Sequence, residues 1–362
     1  MKTPLPRLLN AADLRSQTID HAETMPADWY ADPEFDRFDK GTILHQTWQY
    51  LGPATRVAKT GDFMVEDIAG VPVIVVRTSE SAVSAYANVC RHRGGVLATA
   101  DGHGRVLRCH YHGWSYGLDG KLVGTPQFQD KASLRPDQCQ LPKFSAQEWE
   151  GMIFVNLSAD PKPFADTFGG ITERIAPVEI CKKFHIRHEY HVEANWKLYV
   201  DNYLEGYHVP VVHPELSAII DNDKYVYELS KMYSLQFSPI RKENNPYGTG
   251  GTAYYFWIYP NIMFNIFEGR IQVNSVMPVT PGSCKVYFDY YFDDQTSEQG
   301  RKRIADDLAL SAVVQEQDRE VCLAVQRGLA SGTYRTGRLV PNQEMAVLHF
   351  HELVRDSYRL AT

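Results

Sequence analysis

Cys90-Arg91-His92-Arg93-Gly94-Gly95, followed after Arg108 by Cys109-His110-Tyr111-His112-Gly113-Trp114, is the stretch from which the first half of the chain is read. Each part offers one thiol and one imidazole, as Cys-x-His and then Cys-x-x-His. Glycine stands just past each pair, where a backbone must turn tightly round a ligand. Two centres suit this donor set. A single zinc takes two Cys and two His in tetrahedral geometry, whereas a two-iron, two-sulfide cluster takes both Cys on one iron and both His on the other. His110 also adjoins Cys109 and is read as structural, and His103, in the Gly102-His103-Gly104 turn, as a solvated loop residue. Short apolar runs at 71–76, 83–89, 105–109 and 151–156, punctuated by glycine, predict a small all-β module around both parts.

A second stretch, Asp201-Asn202-Tyr203-Leu204-Glu205-Gly206-Tyr207-His208-Val209-Pro210-Val211-Val212-His213, carries a different chemistry. In an ideal helix Glu205 and His208 share a face, but His208 and His213 do not. Pro210 is expected to stop the helix near Val209, so that His213 folds back beside His208. Imidazole pairs suit iron, zinc or copper, and two His with one carboxylate and open positions are the pattern of ferrous oxygenases. Farther on, 301–329 reads as one long helix with Val314, Asp318, Val321, Cys322 and Val325 on one side. A carboxylate on that apolar stripe needs a metal or a cation. Asp307 is the lesser candidate there and is otherwise read as part of a solvated helix start.

The remaining features bound the protein. A chain of 362 residues, 44% hydrophobic and 22% charged, is long enough for about two domains. A net charge of -7 without a basic stretch argues against nucleic acid as a partner. The start lacks a signal-peptide core, and the longest apolar run, 253–264, is interrupted and too short to span a bilayer, which predicts a cytoplasmic protein away from the membrane. Cys139, Cys181, Cys284 and Cys322 have no metal-ligand spacing and are read as buried thiols. Residues 165–179 read as a helical connection, 188–193 as a strand, and 225–292 as an antiparallel sheet with turns at Asn244-Asn245-Pro246 and Pro281-Gly282. A final helix is expected over 342–359. The run Tyr254-Tyr255-Phe256-Trp257-Ile258-Tyr259 is aromatic on both faces of any strand and must be covered on both.

With the Cys/His loops, His208-x4-His213 and the late helical Asp318 in that order, the chain from about Asp28 onward resembles the α subunit of Rieske non-haem iron oxygenases. The resemblance implies an α+β protein. Residues 1–41 would be a leader packed on the domains, 42–156 an all-β Rieske domain, and 157–362 a helix-grip catalytic domain, an antiparallel sheet wrapped by helices. It further implies that Cys90, His92, Cys109 and His112 hold a 2Fe-2S cluster and that His208, His213 and Asp318 hold ferrous iron. Dioxygen, and electrons from NAD(P)H through a separate reductase or ferredoxin, would complete the system. The family passes electrons between subunits, which implies a homotrimer, through a carboxylate three residues before the first iron histidine. Here that residue is Glu205, where the family usually has Asp. Together with Tyr259-Pro260-Asn261-Ile262-Met263-Phe264 and Glu344-Met345-Ala346-Val347-Leu348-His349-Phe350-His351, this resembles the branch acting on choline, glycine betaine and carnitine.

Hydroxylation next to nitrogen, or N-demethylation, of a quaternary ammonium compound is the activity so implied. Tyr255, Trp257, Tyr259 and Phe264 are the candidate wall, because aromatic faces hold such a cation. Hydroxylation or O-demethylation of an aromatic substrate is the alternative within the family. A pure electron carrier using only the cluster would leave the second histidine set without a purpose.

Overall fold

The computed structural model describes residues 3–129, 133–176, 178–241 and 250–362, and the chain divides into two units, 44–162 and 1–43 with 163–362. The borders therefore fall at 43/44 and 162/163 rather than 41/42 and 156/157. The six extra residues stay with the first unit because the Trp48 indole donates to the Lys162 carbonyl at 3.0 Å and Ser158 N donates to Asn156 Oδ1 at 2.9 Å.

The unit 44–162 is built on a seven-stranded antiparallel sheet, in the order Gln49–Pro53, Met152–Asn156, Lys143–Trp149, Ala82–Ala87, Val71–Ser79, Asp62–Ile68, Gly102–His103. The run Val73 to Val76 is buried throughout because both faces of its strand are covered. Alternate side chains point to opposite faces. Val73 and Val75 join a core with Met64, Ile68 and Ile153, whereas Ile74 and Val76 join one that contains Cys90, Cys109, Trp114 and Tyr116. Strands Val106–Arg108, Ser115–Gly117 and Leu122–Gly124 form a second, smaller sheet beside those cysteines.

The other unit holds a second seven-stranded antiparallel sheet, in the order Lys183–Val192, Ser283–Phe292, Arg270–Thr280, Ile262–Phe267, Thr252–Ile258, Tyr233–Pro239, Val226–Leu229. Helices Trp196–Tyr203, Glu298–Ala330 and Met345–Ala361 pack with it. The Pro281-Gly282 turn joins two strands as expected, and the one predicted at Asn244-Asn245-Pro246 lies outside the described residues. The connection read over 165–179 breaks into Phe164–Phe168 and Ile171–Ile175 at Gly169-Gly170, where Gly170 has φ +86°. The long helix starts earlier than expected because the Ser297 side chain caps Gly300 N at 2.9 Å. Its buried face also differs: Cys322 is buried, but Val325 is 41% exposed, and Gln315 and Gln326 are buried instead. Asp307 is not solvated; it is fully buried and paired with Arg270 at 2.9 Å. Of the four cysteines read as buried thiols, Cys284 and Cys322 are buried, Cys139 is half-buried and Cys181 is exposed. Among the described residues no helix is long and apolar enough to cross a membrane.

The first 43 residues belong wholly to this second unit. Trp29 packs on Tyr358 at 4.7 Å, and Asp39, with no exposed surface, accepts from Lys197 Nζ, Trp196 Nε1 at 3.1 Å and Tyr358 OH at 2.5 Å. One buried carboxylate thus ties the leader, the helix Trp196–Tyr203 and the last helix together. Burial pushes the Asp39 carboxyl up, and Lys197 and the other donors oppose it. Lys197→Met removes the partner and strands that charge, so a loss of about 3–5 kcal/mol is expected in chemical denaturation. A loss below about 1 kcal/mol would show that the pair does not hold the leader.

Candidate metal centres

Cys90 and Cys109 stand at the starts of two matching loops. Cys90 N donates to Gly95 O at 2.7 Å, and Cys109 N donates to Trp114 O at 2.8 Å, so each loop closes on itself. Gly94 and Gly113, at φ +74° and +75°, make the turns. Both sulfurs are buried free thiols, and the His92 and His112 rings lie exposed, 4.7 Å apart. His92 stacks on Trp114 at 4.8 Å and Tyr111 on His112 at 3.7 Å. Desolvation and the neighbouring His92 and Arg93 hold the His112 ring below the usual imidazole range. Tyr116 OH lies 3.3 Å from Cys90 Sγ and accepts from Arg91 N at 2.9 Å. Burial and the bond with Cys90 push this phenol up, so it keeps its O–H. His110 is exposed, and exposed His103 pairs with Asp62 at 2.8 Å.

In the second unit the route to convergence differs from the one expected. The helix Trp196–Tyr203 ends before Glu205, and Pro210 sits in the first turn of a new short helix, Val209–Val212, where a missing N–H costs nothing. His208 and His213 are the residues flanking that short helix, and their Nε2 atoms come within 3.2 Å. Asp318 reaches them from the long helix, its Oδ1 lying 3.0 Å from His213 Nε2 and 3.7 Å from His208 Nε2. One ligand atom from each of the three lies within 4.8 Å of the others.

The tautomers follow from the partners. Glu205 Oε1 at 2.6 Å and Gln317 Oε1 at 2.7 Å only accept, so His208 and His213 carry hydrogen on Nδ1 and direct Nε2 at the common point. Burial lowers the His213 imidazole, but Asp318, Gln317 and Glu205 outweigh it and hold the ring above its usual range. Asn202 Nδ2 donates to Asp318 Oδ1 at 2.7 Å and fixes the carboxylate. Gln317 and Asn202 escaped the sequence reading because their partners are 104 and 116 residues away.

A cavity of about 130 Å³ adjoins these three residues. Tyr225 and Tyr255 stack along one wall at 6.5 Å, Phe267 meets Tyr255 edge-on at 5.9 Å, and Tyr203 and Phe288 extend the aromatic lining. Polar side chains of Asn265, Arg270, Gln272, Asn274, Ser311 and Gln315 line the rest. Of the four aromatic residues expected here, only Tyr255 lines the cavity. Trp257 and Tyr259 are on the same strand face but lie under the last helix, against Phe350 at 5.3 Å and Ser357 at 2.7 Å. Phe264 pairs with Phe256 and so points to the opposite face, whereas Asn265, paired with Tyr255, points inward.

Known protein families match the chain in each of its two units. The Rieske 2Fe-2S domain family matches residues 47–144, and the catalytic domain of the ring hydroxylating alpha subunit matches 182–360. Choline monooxygenase, chloroplastic, of Beta vulgaris is 31% identical over 340 residues, covering 91% of this chain and 76% of that protein. The chain belongs to the Rieske non-haem iron oxygenases. The carnitine monooxygenase oxygenase subunit of Escherichia coli (strain K12) is 27% identical over 357 residues, covering 93% and 94% of the two chains. The solved structure of a quaternary ammonium Rieske monooxygenase superposes with a TM-score of 0.86 at 25% identity, covering 95% of this chain and 99% of that one.

A Rieske oxygenase uses a 2Fe-2S cluster and a mononuclear iron, with dioxygen and electrons from a reductase. The residues present fit both groups. At the first site two buried thiols form no disulfide, and Cys109 Sγ lies against a glycine, Gly95, whose added Cβ would come within 3.3 Å of it. At the second, two nitrogen lone pairs and a carboxylate oxygen converge, an arrangement that repels itself unless a cation or protons stand between. Asp318→Ala is expected to abolish mononuclear iron binding, measured as a fall from about three irons per chain to about two with the cluster absorption unchanged. Retention of three irons would move the carboxylate ligand elsewhere.

Proposed function

We propose that this oxygenase oxidises a small quaternary ammonium compound of the choline, betaine or carnitine kind at a carbon next to nitrogen, with N-demethylation as the outcome where that carbon is an N-methyl. In this reading Cys90, His92, Cys109 and His112 hold the cluster, and His208, His213 and Asp318 hold the iron. Bound there, the cluster supplies single electrons and the iron activates dioxygen. The chain's own side chains do the rest. Glu205, through its bond to His208 Nδ1, keeps the ring's tautomer and is the link toward the cluster of a neighbouring subunit in a homotrimer fed by a reductase. The solved relative, whose structure concerns inter-subunit electron transfer and carnitine oxidation, supports this arrangement.

One observation carries the substrate class: the rings of Tyr203, Tyr225, Tyr255 and Phe267 gather beside the metal residues. A quaternary nitrogen has no N–H to donate, and each aromatic face contributes roughly 0.5 to 2 kcal/mol to holding it. Glu205 and Asp318 add negative charge to the same cavity. Arg270, which could anchor an aromatic acid, is engaged by Asp307 at 2.9 Å and Gln272 at 2.6 Å. The aromatic lining therefore favours the cation over an aromatic acid. Its relatives named choline and carnitine monooxygenase point the same way.

With the reduced protein offered choline, glycine betaine, carnitine and benzoate-type acids, oxygen uptake with stoichiometric oxidised product is expected for at least one cation. Turnover of the acids alone would overturn the reading. Glu205→Gln is expected to keep all its iron and to slow single-turnover oxidation of the cluster roughly 10- to 100-fold. A native rate in that variant would remove Glu205 from the electron path.

A further inference from the structure

Gln315 stands one helical turn before Asp318 on Glu298–Ala330 and lines the same cavity, yet its side chain is 2% exposed. Its Oε1 accepts from the Tyr199 hydroxyl at 2.5 Å, while its Nε2 has no protein partner. Burial, and then the charge of Asp318, hold the Tyr199 phenol well above its usual range, so it stays an O–H and donates. That bond orients the amide, with Oε1 spent on Tyr199 and two N–H donors left over. A buried amide donor is nearly always paired in a folded protein. The Tyr255 hydroxyl, in the same cavity, is also buried without a protein partner. The lining thus combines aromatic faces with polar atoms that the fold itself does not satisfy.

We infer that Gln315 is a specificity-determining residue, whose Nε2 donates to an oxygen on the substrate, a hydroxyl or carboxylate carried a short chain away from the quaternary nitrogen. The inference rests on the quaternary ammonium reading and deepens it by naming the residue that reads the substrate's oxygen and so rejects a bare alkylammonium. The rings hold the nitrogen without direction, since a cation over an aromatic face is free to rotate. A hydrogen bond to an oxygen removes that freedom and decides which carbon faces His208, His213 and Asp318. Tyr199 is a positioning residue, acting only through the amide it orients. A site built to hydrogen-bond a substrate oxygen discriminates strongly against the analogue without it, because its donor is then left unpaired.

The test is calorimetric binding to the oxidised holoprotein. Choline, glycine betaine and L-carnitine are compared with propyltrimethylammonium, in which a methyl replaces the choline hydroxyl. The native protein is expected to bind the best of the three oxygenated cations on the order of tenfold more tightly than propyltrimethylammonium. Gln315→Leu should bring the two within about threefold by weakening only the oxygenated ligand. If Gln315→Leu loses iron, Gln315→Met, of similar length and without the amide, is read in its place. Gln315→Glu, which keeps an oxygen for Tyr199 but replaces the donor by a second oxygen, should weaken the carboxylate ligands most. Native protein that does not prefer the oxygenated cations, or a Gln315→Leu variant that keeps the preference, overturns the role of Gln315 and leaves the cation reading intact. Native protein that binds none of the four overturns the cation reading itself.

Discussion

Three Lewis bases from two distant parts of the chain are held at one point, and the architecture of the larger unit follows from that demand. His208, His213 and Asp318 would push one another apart if nothing positive lay between them. They are kept together by their partners: Glu205 and Gln317 take the Nδ1 hydrogens and so turn both Nε2 atoms inward, and Asn202 donates to the same Asp318 oxygen that faces the histidines. The folded chain stores this crowding in rigid elements, a short helix flanked by the two histidines and a 33-residue helix that delivers the acid.

The same rigidity explains the buried polar chain behind the site. Asp307, Arg270, Gln272 and Asn274 form a connected run of hydrogen bonds between the long helix and the strand Arg270–Thr280. Buried charges at these positions would be costly singly. Paired, they align the helix that carries Asp318 against the sheet that carries the aromatic wall. Asp39 with Lys197 plays the equivalent part for the helix entering the histidine stretch. A second such tie joins the leader through Tyr30 OH to Asp201 at 2.6 Å, with His351 Nε2 at 2.9 Å on the other carboxylate oxygen. Asp201 is in the helix just ahead of Glu205, so the leader and the last helix both steady the segment that leads to Glu205 and His208.

Much of this was legible in the residues. The two Cys/His loops announced themselves through spacing and glycine, and the strands around them through short valine-rich runs. His208, His213 and Asp318 stood out because a metal needs their chemistry. The aromatic wall was legible only in part. Tyr254 to Tyr259 alternates faces, and a run of rings says that both faces are covered without saying by what. Trp257 and Tyr259 went under a helix about 90 residues later in the chain, strand register put Phe264 on the opposite, also buried face, and Tyr225 and Phe267 supplied the cavity instead. Gln315 gave no signal, because a glutamine in a charged helix is ordinarily solvated.

The amino-acid sequence by itself determined the donor types, their local spacing and the order of the elements, since thiol, imidazole and carboxylate chemistry and helix and strand periods are properties of neighbouring residues. Only the tertiary structure decided which carboxylate meets the histidines and which is neutralised by Arg270, which aromatic rings face the cavity, and which amide is left with a donor to spare. Those outcomes depend on partners distant in the chain, as Tyr199 and Gln315 are at 116 residues apart, and on which face of a strand a helix happens to cover. No local pattern encodes them, because the free energy that selects them arises only when the separate elements pack.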